Sequence, residues 1–244
     1  MIRLAKRGEE LPFSLQTEAS VKLAGWHAAY GDDERIVRFW ITEHGGTLGQ
    51  MGDTLLADLP GKDHEEAAAF AAMQPVTRLR SDPAFVRAVS ALRPGQTQSG
   101  TVTRLMDGVA DPPQTDTPSL TATFDLLKAV FDDLPQWDDW YVDMSHRLRH
   151  GCGRIAGITG EDGLLAVAMT TAECESAALI GGVATRPDQR GRGYARRCVS
   201  ALAAALQQEG KAVWLSPKND YAKALYRHWG FVPVGEWAQI KWKD

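Results

Sequence analysis

The most constraining stretch of the chain is Val183-Ala184-Thr185-Arg186-Pro187-Asp188-Gln189-Arg190-Gly191-Arg192-Gly193-Tyr194-Ala195, set between an apolar run that reads as a strand and a segment with helical periodicity. Two glycines one residue apart at a helix start indicate a tight turn, and the first helical N–H groups there lack intrahelical partners. Those groups and the positive end of the helix dipole can receive an anion, to which Arg190 and Arg192 add charge. Two other phosphate motifs fit badly. A Walker A loop needs Lys-Ser/Thr after its last glycine, and a dinucleotide fingerprint needs Gly or Ala where Arg196 stands. The competing reading of R-G-R-G-Y-A is an ordinary tight turn, so the flanking sequence has to decide.

Upstream of this loop, Arg154–Thr159, Leu164–Thr171 and Ala177–Thr185 are separated by turns at Gly160–Gly163 and near Glu173–Ser176, which predicts a three-strand antiparallel meander. Downstream come a helix at Gly193–Gln208, a strand at Ala212–Leu215, a helix at Asn219–Trp229 and a closing strand region from Phe231 to Trp242. Before the meander, Phe124, Leu127, Val130, Phe131 and Leu134 recur at helical spacing, predicting a helix that ends before Pro135. A second helix is expected over Asp138–His150. Its apolar face is Trp140, Tyr141, Met144 and Leu148, and Asp143, His146 and His150 form a polar stripe.

The first part of the chain reads as strands at Arg35–Thr42, Thr47–Met51 and Thr54–Leu59, then helices at Asp63–Met73 and from Asp82-Pro83 to Arg93-Pro94-Gly95. The polar stretch Arg93–Gly100 is taken as a linker, dividing the chain into 1–96 and 97–244. A strand at Thr101–Met106 and a loop containing Asp111-Pro112-Pro113 follow. His44-Gly45-Gly46 resembles an oxyanion-hole loop, but no G-x-S-x-G elbow exists in the sequence, so a hairpin turn is expected there. No internal repeat is visible.

Length and composition narrow the function classes. A chain of 244 residues suits two modules, and 44% hydrophobic with 24% charged residues is that of a globular protein. A net charge of −4 argues against nucleic acid as the main partner. Cys152, Cys174 and Cys198 are far apart without C-x-x-C spacing, which disfavours disulfides and a thiolate zinc site and fits a reducing cytoplasm. No apolar run approaches the roughly 20 residues of a membrane span, so no membrane partner is expected. His146 and His150 lack a third ligand with zinc-site spacing, so no metal is expected.

With R-x-x-G-x-A met by Arg190, Gly193 and Ala195, the chain resembles the GNAT superfamily of acyl-CoA-dependent N-acyltransferases. Asn219, Ala222, Leu225, Tyr226, Gly230 and Phe231 also match that family's N-x-x-A-x-x-L-Y-x-x-x-G-F pattern. The resemblance covers about the last 145 residues, the size of one domain. The segment D-x-W-Y-x-D-M-S-H-R-L-R-H, from Asp138 to His150, is similar to a poorly characterised bacterial subgroup with an extra N-terminal α/β region. The implied fold is α/β (α+β), with a mixed, mostly antiparallel central sheet flanked by helices. The N-terminal region is then either a degenerate half of the same fold or a lid over the acceptor site.

The resemblance also implies roles. Acetyl-CoA is the co-substrate, held by Val183, Ala184, Thr185, Arg190, Gly191, Arg192, Gly193, Tyr194 and Ala195, with Asn219, Ala222 and Tyr226 on the following helix. Main-chain N–H groups of Val183 and Thr185 face the acyl carbonyl and the pantetheine. Tyr226 is the candidate general acid, although Ala222, Leu225, Tyr226 and Trp229 also form an apolar stripe that would pack on the sheet. Glu173 and Glu175 are the candidates for a general base, against the plainer reading of solvated turn residues. Asp143, His146 and His150 are the candidate acceptor lining, and the alternative for Asp143 is a surface pair with Arg147. The expected acceptor is a small-molecule amine or a protein amino group, on a monomer or homodimer. The alternative function is a noncatalytic acyl-CoA-binding regulatory module.

Overall fold

The computed structural model describes residues 1–31, 33–109 and 112–242, so Asp111 of the expected Asp-Pro-Pro loop lies outside the described residues. Two compact units are formed. The first comprises Met1–Thr103, Ser216–Lys223 and the residues from Pro233 on; the second comprises Arg104–Leu215 and Ala224–Val232. The expected break at 96/97 falls at the start of a strand.

In the first unit, a short strand β1 (Arg3–Leu4) precedes helix α1 (Glu18–Tyr30) and the antiparallel meander β2 (Val37–Ile41), β3 (Thr47–Met51) and β4 (Thr54–Asp58). Helix α2 (His64–Met73) then leads to β5 (Arg78–Ser81), which runs parallel to β4, and helix α3 (Pro83–Leu92) leads to β6 (Gln96–Leu105). Asp82 starts α3 as the sequence predicts: its carboxylate accepts from the N–H groups of Ala84 and Phe85 at 2.8 and 3.0 Å, with proline at the first helical position. The neighbours Leu55 and Leu56 on β4 point to opposite faces and enter different cores. Leu55 packs with Leu79, Phe85 and Val89, and Leu56 with Leu23 and Phe39. The expected linker at Arg93–Gly100 is corrected: from Gln96 it is strand. Gln96–Ser99 are exposed, so this part of β6 carries the polar residues of a solvent-facing ladder and reads as a loop.

The second unit opens with helix α4 (Leu120–Val130), capped by Ser119 Oγ accepting from the Ala122 N–H at 3.2 Å, and helix α5 (Trp137–Arg149). Helix α4 stops at Val130, short of the expected end before Pro135, because Phe131 turns extended at φ −122° and ψ 132°. The second meander is β7 (Ile155–Gly160), β8 (Gly163–Glu173) and β9 (Ala177–Thr185). Helix α6 (Tyr194–Gln208) leads to β10 (Ala212–Leu215), parallel to β9, then come α7 (Asp220–His228) and β11 (Phe231–Lys241). Phe124, Leu127, Trp140 and Met144 bury against Val167, Met169 and Ala184 of the sheet. The C-terminal part of β11 pairs antiparallel with β5, Ala238 opposite Ser81. No helix among the described residues is long and apolar enough to cross a membrane.

The two halves repeat one order: meander, helix, parallel strand, helix, strand. They differ where the first parallel strand gives way to the helix. In the first half, Ser81 Oγ donates to the Ala57 carbonyl at 2.7 Å, so the ladder between β4 and β5 is extended by a side chain. At the start of α2, Asp63 is buried. Its carboxylate accepts from Thr42 Oγ1 at 2.5 Å and lies 2.5 Å from His44 Nδ1. The chain's own anion thus stands at the helix start, and the His44 turn is the hairpin turn expected. Burial raises the Asp63 carboxyl, but bonds from Thr42 and His44 outweigh it and hold the group below the usual carboxylate range.

A depressed native pKa stabilises the fold above the unfolded value, near pH 4, and that contribution is lost as pH falls through the native value. Asp63→Asn should therefore lower stability at pH 7 by about 1–2 kcal/mol. Urea unfolding of both proteins from pH 7 to pH 2 should show this gap closing in acid; a gap constant with pH would contradict the assignment.

Candidate functional site

The site begins where two parallel strands separate. Strands β9 and β10 pair over four positions, from Ala177 opposite Ala212 to Ile180 opposite Leu215. There β10 ends, and β9 continues through Gly181–Thr185 with β8 still on its other side, Met169 opposite Gly181 and Ala166 opposite Thr185. Five residues of β9 thus carry main-chain N–H and C=O groups beyond the ladder with β10. Such a strand edge can bond an extended polar chain.

Gly181 and Gly182 make the divergence possible. The register of β8 against β9 shifts on both sides of this point, between Val167 and Met169 and between Thr170 and Ala172. Gly182 has φ +55°, and a Cβ there would lie 2.7 Å from Met169 Cγ. A Cβ on Gly181 would lie 2.6 Å from Thr171 Cγ2. Both glycines are needed because β8 side chains fill the space their own would take.

From Thr185 the chain passes through a short 3-10 turn, Pro187–Gln189, into the glycine loop. Gly191 and Gly193 have φ +78° and +77°, with open space where a Cβ would project. Gly193 is the N-cap of α6 in the left-handed region, and no side chain caps this helix. The first intrahelical bond runs from the Arg197 N–H to the Gly193 carbonyl at 3.1 Å, so the N–H groups of Tyr194, Ala195 and Arg196 precede the helical ladder. Arg186 is held by Asp188 in a two-bonded ion pair of 2.7 and 3.0 Å. Arg190 and Arg192 are exposed and form no ion pair among the described residues. Two open cavities flank the start of α6. One of about 440 Å³ is lined by Arg196, Ser200, Asp107 and Trp229, the other of about 730 Å³ by Tyr194, Asp116 and Thr159, and Arg197 lines both. The arrangement is an uncapped helix start with cationic side chains, fed by a strand that runs on beyond its ladder with β10 and pairs with no other strand on that side among the described residues: a receptacle for an extended ligand with an anionic group.

Among the other expected residues, Asn219 caps α7, its Oδ1 accepting from the Ala222 N–H at 2.9 Å. Tyr226 is 8% exposed, edge-on to Trp229 at 5.2 Å and to Phe231 at 6.1 Å. Its packing stripe is therefore real. Burial pushes the phenol up to about 12, and its hydroxyl makes no hydrogen bond among the described residues. A protonated donor inside an apolar wall is the result.

Glu173 and Glu175 lie at the β8–β9 turn, the opposite end of β9 from the glycine loop. Glu173 is buried in an ion network: Oε1 accepts from Arg154 Nε at 3.0 Å and Lys211 Nζ at 2.7 Å, and Arg154 also grips Glu209 at 2.7 and 2.6 Å. Glu175 is exposed. Asp143 pairs with Arg147 at 3.5 Å, and the rings of His146 and His150 lie 4.3 Å apart on α5. Arg147 itself was not foreseen as a structural group: buried, it donates to the Thr170 carbonyl at 2.9 Å and ties α5 to β8. No group of three or more His, Cys, Asp or Glu fit to hold a metal occurs among the described residues.

Residues 120–231 match the model of the acetyltransferase (GNAT) family. The whole chain shares its fold with solved structures of low identity. A GCN5-related N-acetyltransferase from Kribbella flavida is 16% identical at a TM-score of 0.60, over 91% of this chain and 94% of that one. An acetyltransferase of the GNAT family from Colwellia psychrerythraea is 16% identical at 0.57 over all of both chains. A tandem GNAT protein from the clavulanic acid biosynthesis pathway is 16% identical at 0.56, over 100% of this chain and 99% of that one. The last match spans the N-terminal region as well as the C-terminal half, so both share its fold. Among curated proteins, none matches.

The two kinds of glycine separate by substitution. Gly191→Ala meets only the cost of φ +78°, about 1 kcal/mol, whereas Gly182→Ala adds the clash with Met169 and should cost about 2–4 kcal/mol. Equal losses in urea unfolding would contradict the close approach at Gly182.

Proposed function

We propose, from the match of residues 120–231 to the acetyltransferase (GNAT) family, that the chain is an acetyl-CoA-dependent N-acetyltransferase acting on a primary amine. The observation that carries this reading is the vacant edge of β9 leading directly into the uncapped start of α6. Coenzyme A has the matching order of groups: an extended amide-bearing pantetheine arm for the strand edge, then a pyrophosphate for the N–H groups of Gly193–Ala195, with Arg190 and Arg192 beside it.

The chemistry proceeds by direct attack. The neutral amine adds to the thioester carbonyl carbon, and the developing oxyanion is stabilised by main-chain N–H groups of the free edge at Val183 and Thr185. The carbon–sulfur bond then breaks. The thiolate takes a proton from Tyr226, which the solvent replaces, and the amine nitrogen releases its proton to leave the amide. A phenol pushed up to about 12 remains protonated through the physiological range, as an acid for this step must. Asp143, His146 and His150 on α5 are the proposed acceptor lining. Glu173, pinned by Arg154 and Lys211, is assigned the role of holding the sheet end, and no base is assigned.

Two variants test the reading. Tyr226→Phe should lower kcat roughly 100-fold while leaving acetyl-CoA affinity, measured by calorimetry, within about twofold. Gly193→Asp, which puts a carboxylate at the phosphate position, should abolish the rise in Tm that acetyl-CoA produces. Activity should climb with pH as the acceptor amine loses its proton, with no fall attributable to Tyr226 in the physiological range. Tight CoA binding without turnover across a broad amine panel would favour the noncatalytic module instead.

A further inference from the structure

The acyl end of the proposed channel has a floor. Gly182 immediately precedes Val183, the proposed partner of the acyl carbonyl, and the proposed placement runs the carbons beyond that carbonyl past Gly182. The space next to Gly182 is already occupied. A Cβ built there would meet Met169 Cγ at 2.7 Å, Met169 Sδ at 2.9 Å and Leu127 Cδ2 at 3.5 Å. Met169 is 5% exposed and Leu127 is 1% exposed. Both belong to the cluster in which Phe124, Trp140, Met144 and Val167 pack between α4, α5 and the sheet. This wall therefore has packed neighbours behind it and little room to recede.

We infer that Met169, backed by Leu127, sets the length of the acyl group, limiting the donor to acyl-CoA thioesters of two or three carbons. The inference rests on the proposed placement of acyl-CoA along β9. Its physical basis is the cost of overpacking: each further methylene pressed against a well-packed interior displaces side chains from their rotamers, at roughly tenfold or more in affinity. Met169 is the specificity-determining member because its unbranched thioether reaches Gly182, while Leu127 supports it from α4. Shortening Met169 removes the groups in contact with Gly182 and leaves space of the size that one or two methylenes need.

The test is an affinity ladder, which requires no knowledge of the acceptor. Calorimetry of the full chain with CoA, acetyl-, propionyl-, butyryl- and hexanoyl-CoA should give comparable affinities up to three carbons and a loss of tenfold or more for butyryl and beyond. In Met169→Ala the ratio of butyryl- to acetyl-CoA affinity should rise at least tenfold, and in the volume-conserving Met169→Leu it should stay within threefold. Ratios within one protein do not depend on how much of it is folded, and Leu127→Ala supplies a milder opening, of three- to tenfold, should Met169→Ala fail to fold. Wild-type protein that binds CoA but takes hexanoyl-CoA as well as acetyl-CoA, or a ratio unmoved in both alanine variants, would overturn the inference and leave the site standing. Failure of CoA itself to bind would remove the site reading and the inference with it.

Discussion

The separation of β9 from β10 after Ile180 and Leu215 is the constraint on which the candidate site depends. Parallel neighbours in a sheet normally keep their hydrogen bonds, since leaving main-chain groups unbonded away from water is costly. Here β9 stays tied to β8 but shifts register against it, and Gly181 and Gly182 let Thr171 and Met169 come into the space of missing side chains. The vacated groups then line a path that ends at the uncapped start of α6. One local departure supplies both an edge for an extended ligand and an anion receptacle at its end.

The first half of the chain shows what the same topology becomes without that departure. Strands β4 and β5 are parallel as β9 and β10 are, yet Ser81 bonds to Ala57 where the second half opens. The helix that follows begins with Asp63, whose carboxylate is satisfied by Thr42 and His44. A phosphate would meet a fixed negative charge there. The cores of this half around Leu55 and Leu56 pack on the two faces of β4.

Much of this was legible because local chemistry and final structure agree. Strands β9 and β10 and the start of α3 follow directly from short apolar runs bounded by turn residues and from Asp82-Pro83. The glycine loop was readable because Gly191 and Gly193 are required by positive φ. What escaped depends on distant partners. Strand β5 is only four residues, RLRS, and is strand because β4 and β11 bracket it. Helix α1 carries Glu18 and Ser20 in its buried set, so no clean apolar stripe marks it; Glu18 is accommodated by Arg80 from β5 at 2.8 Å. The repeat of the two halves lies in element order and not in residue identity. At the site, the part of Met169 is set by the register between β8 and β9, which brings it to Gly182. Glu173 had the residue type of a base; its buried ties to Arg154 and Lys211 are set by tertiary structure.

The central claim, that acyl-CoA lies along the free edge of β9 and ends at the start of α6, is tested most directly by hydrogen exchange of backbone amides with and without CoA. Ligand bonded to those groups must slow their exchange. The account predicts slowing across Val183–Thr185 and Gly193–Arg196, with Ala57–Glu65 in the first half unchanged. Slowing confined to the first half, or saturating CoA that leaves 183–196 unaltered, would contradict it.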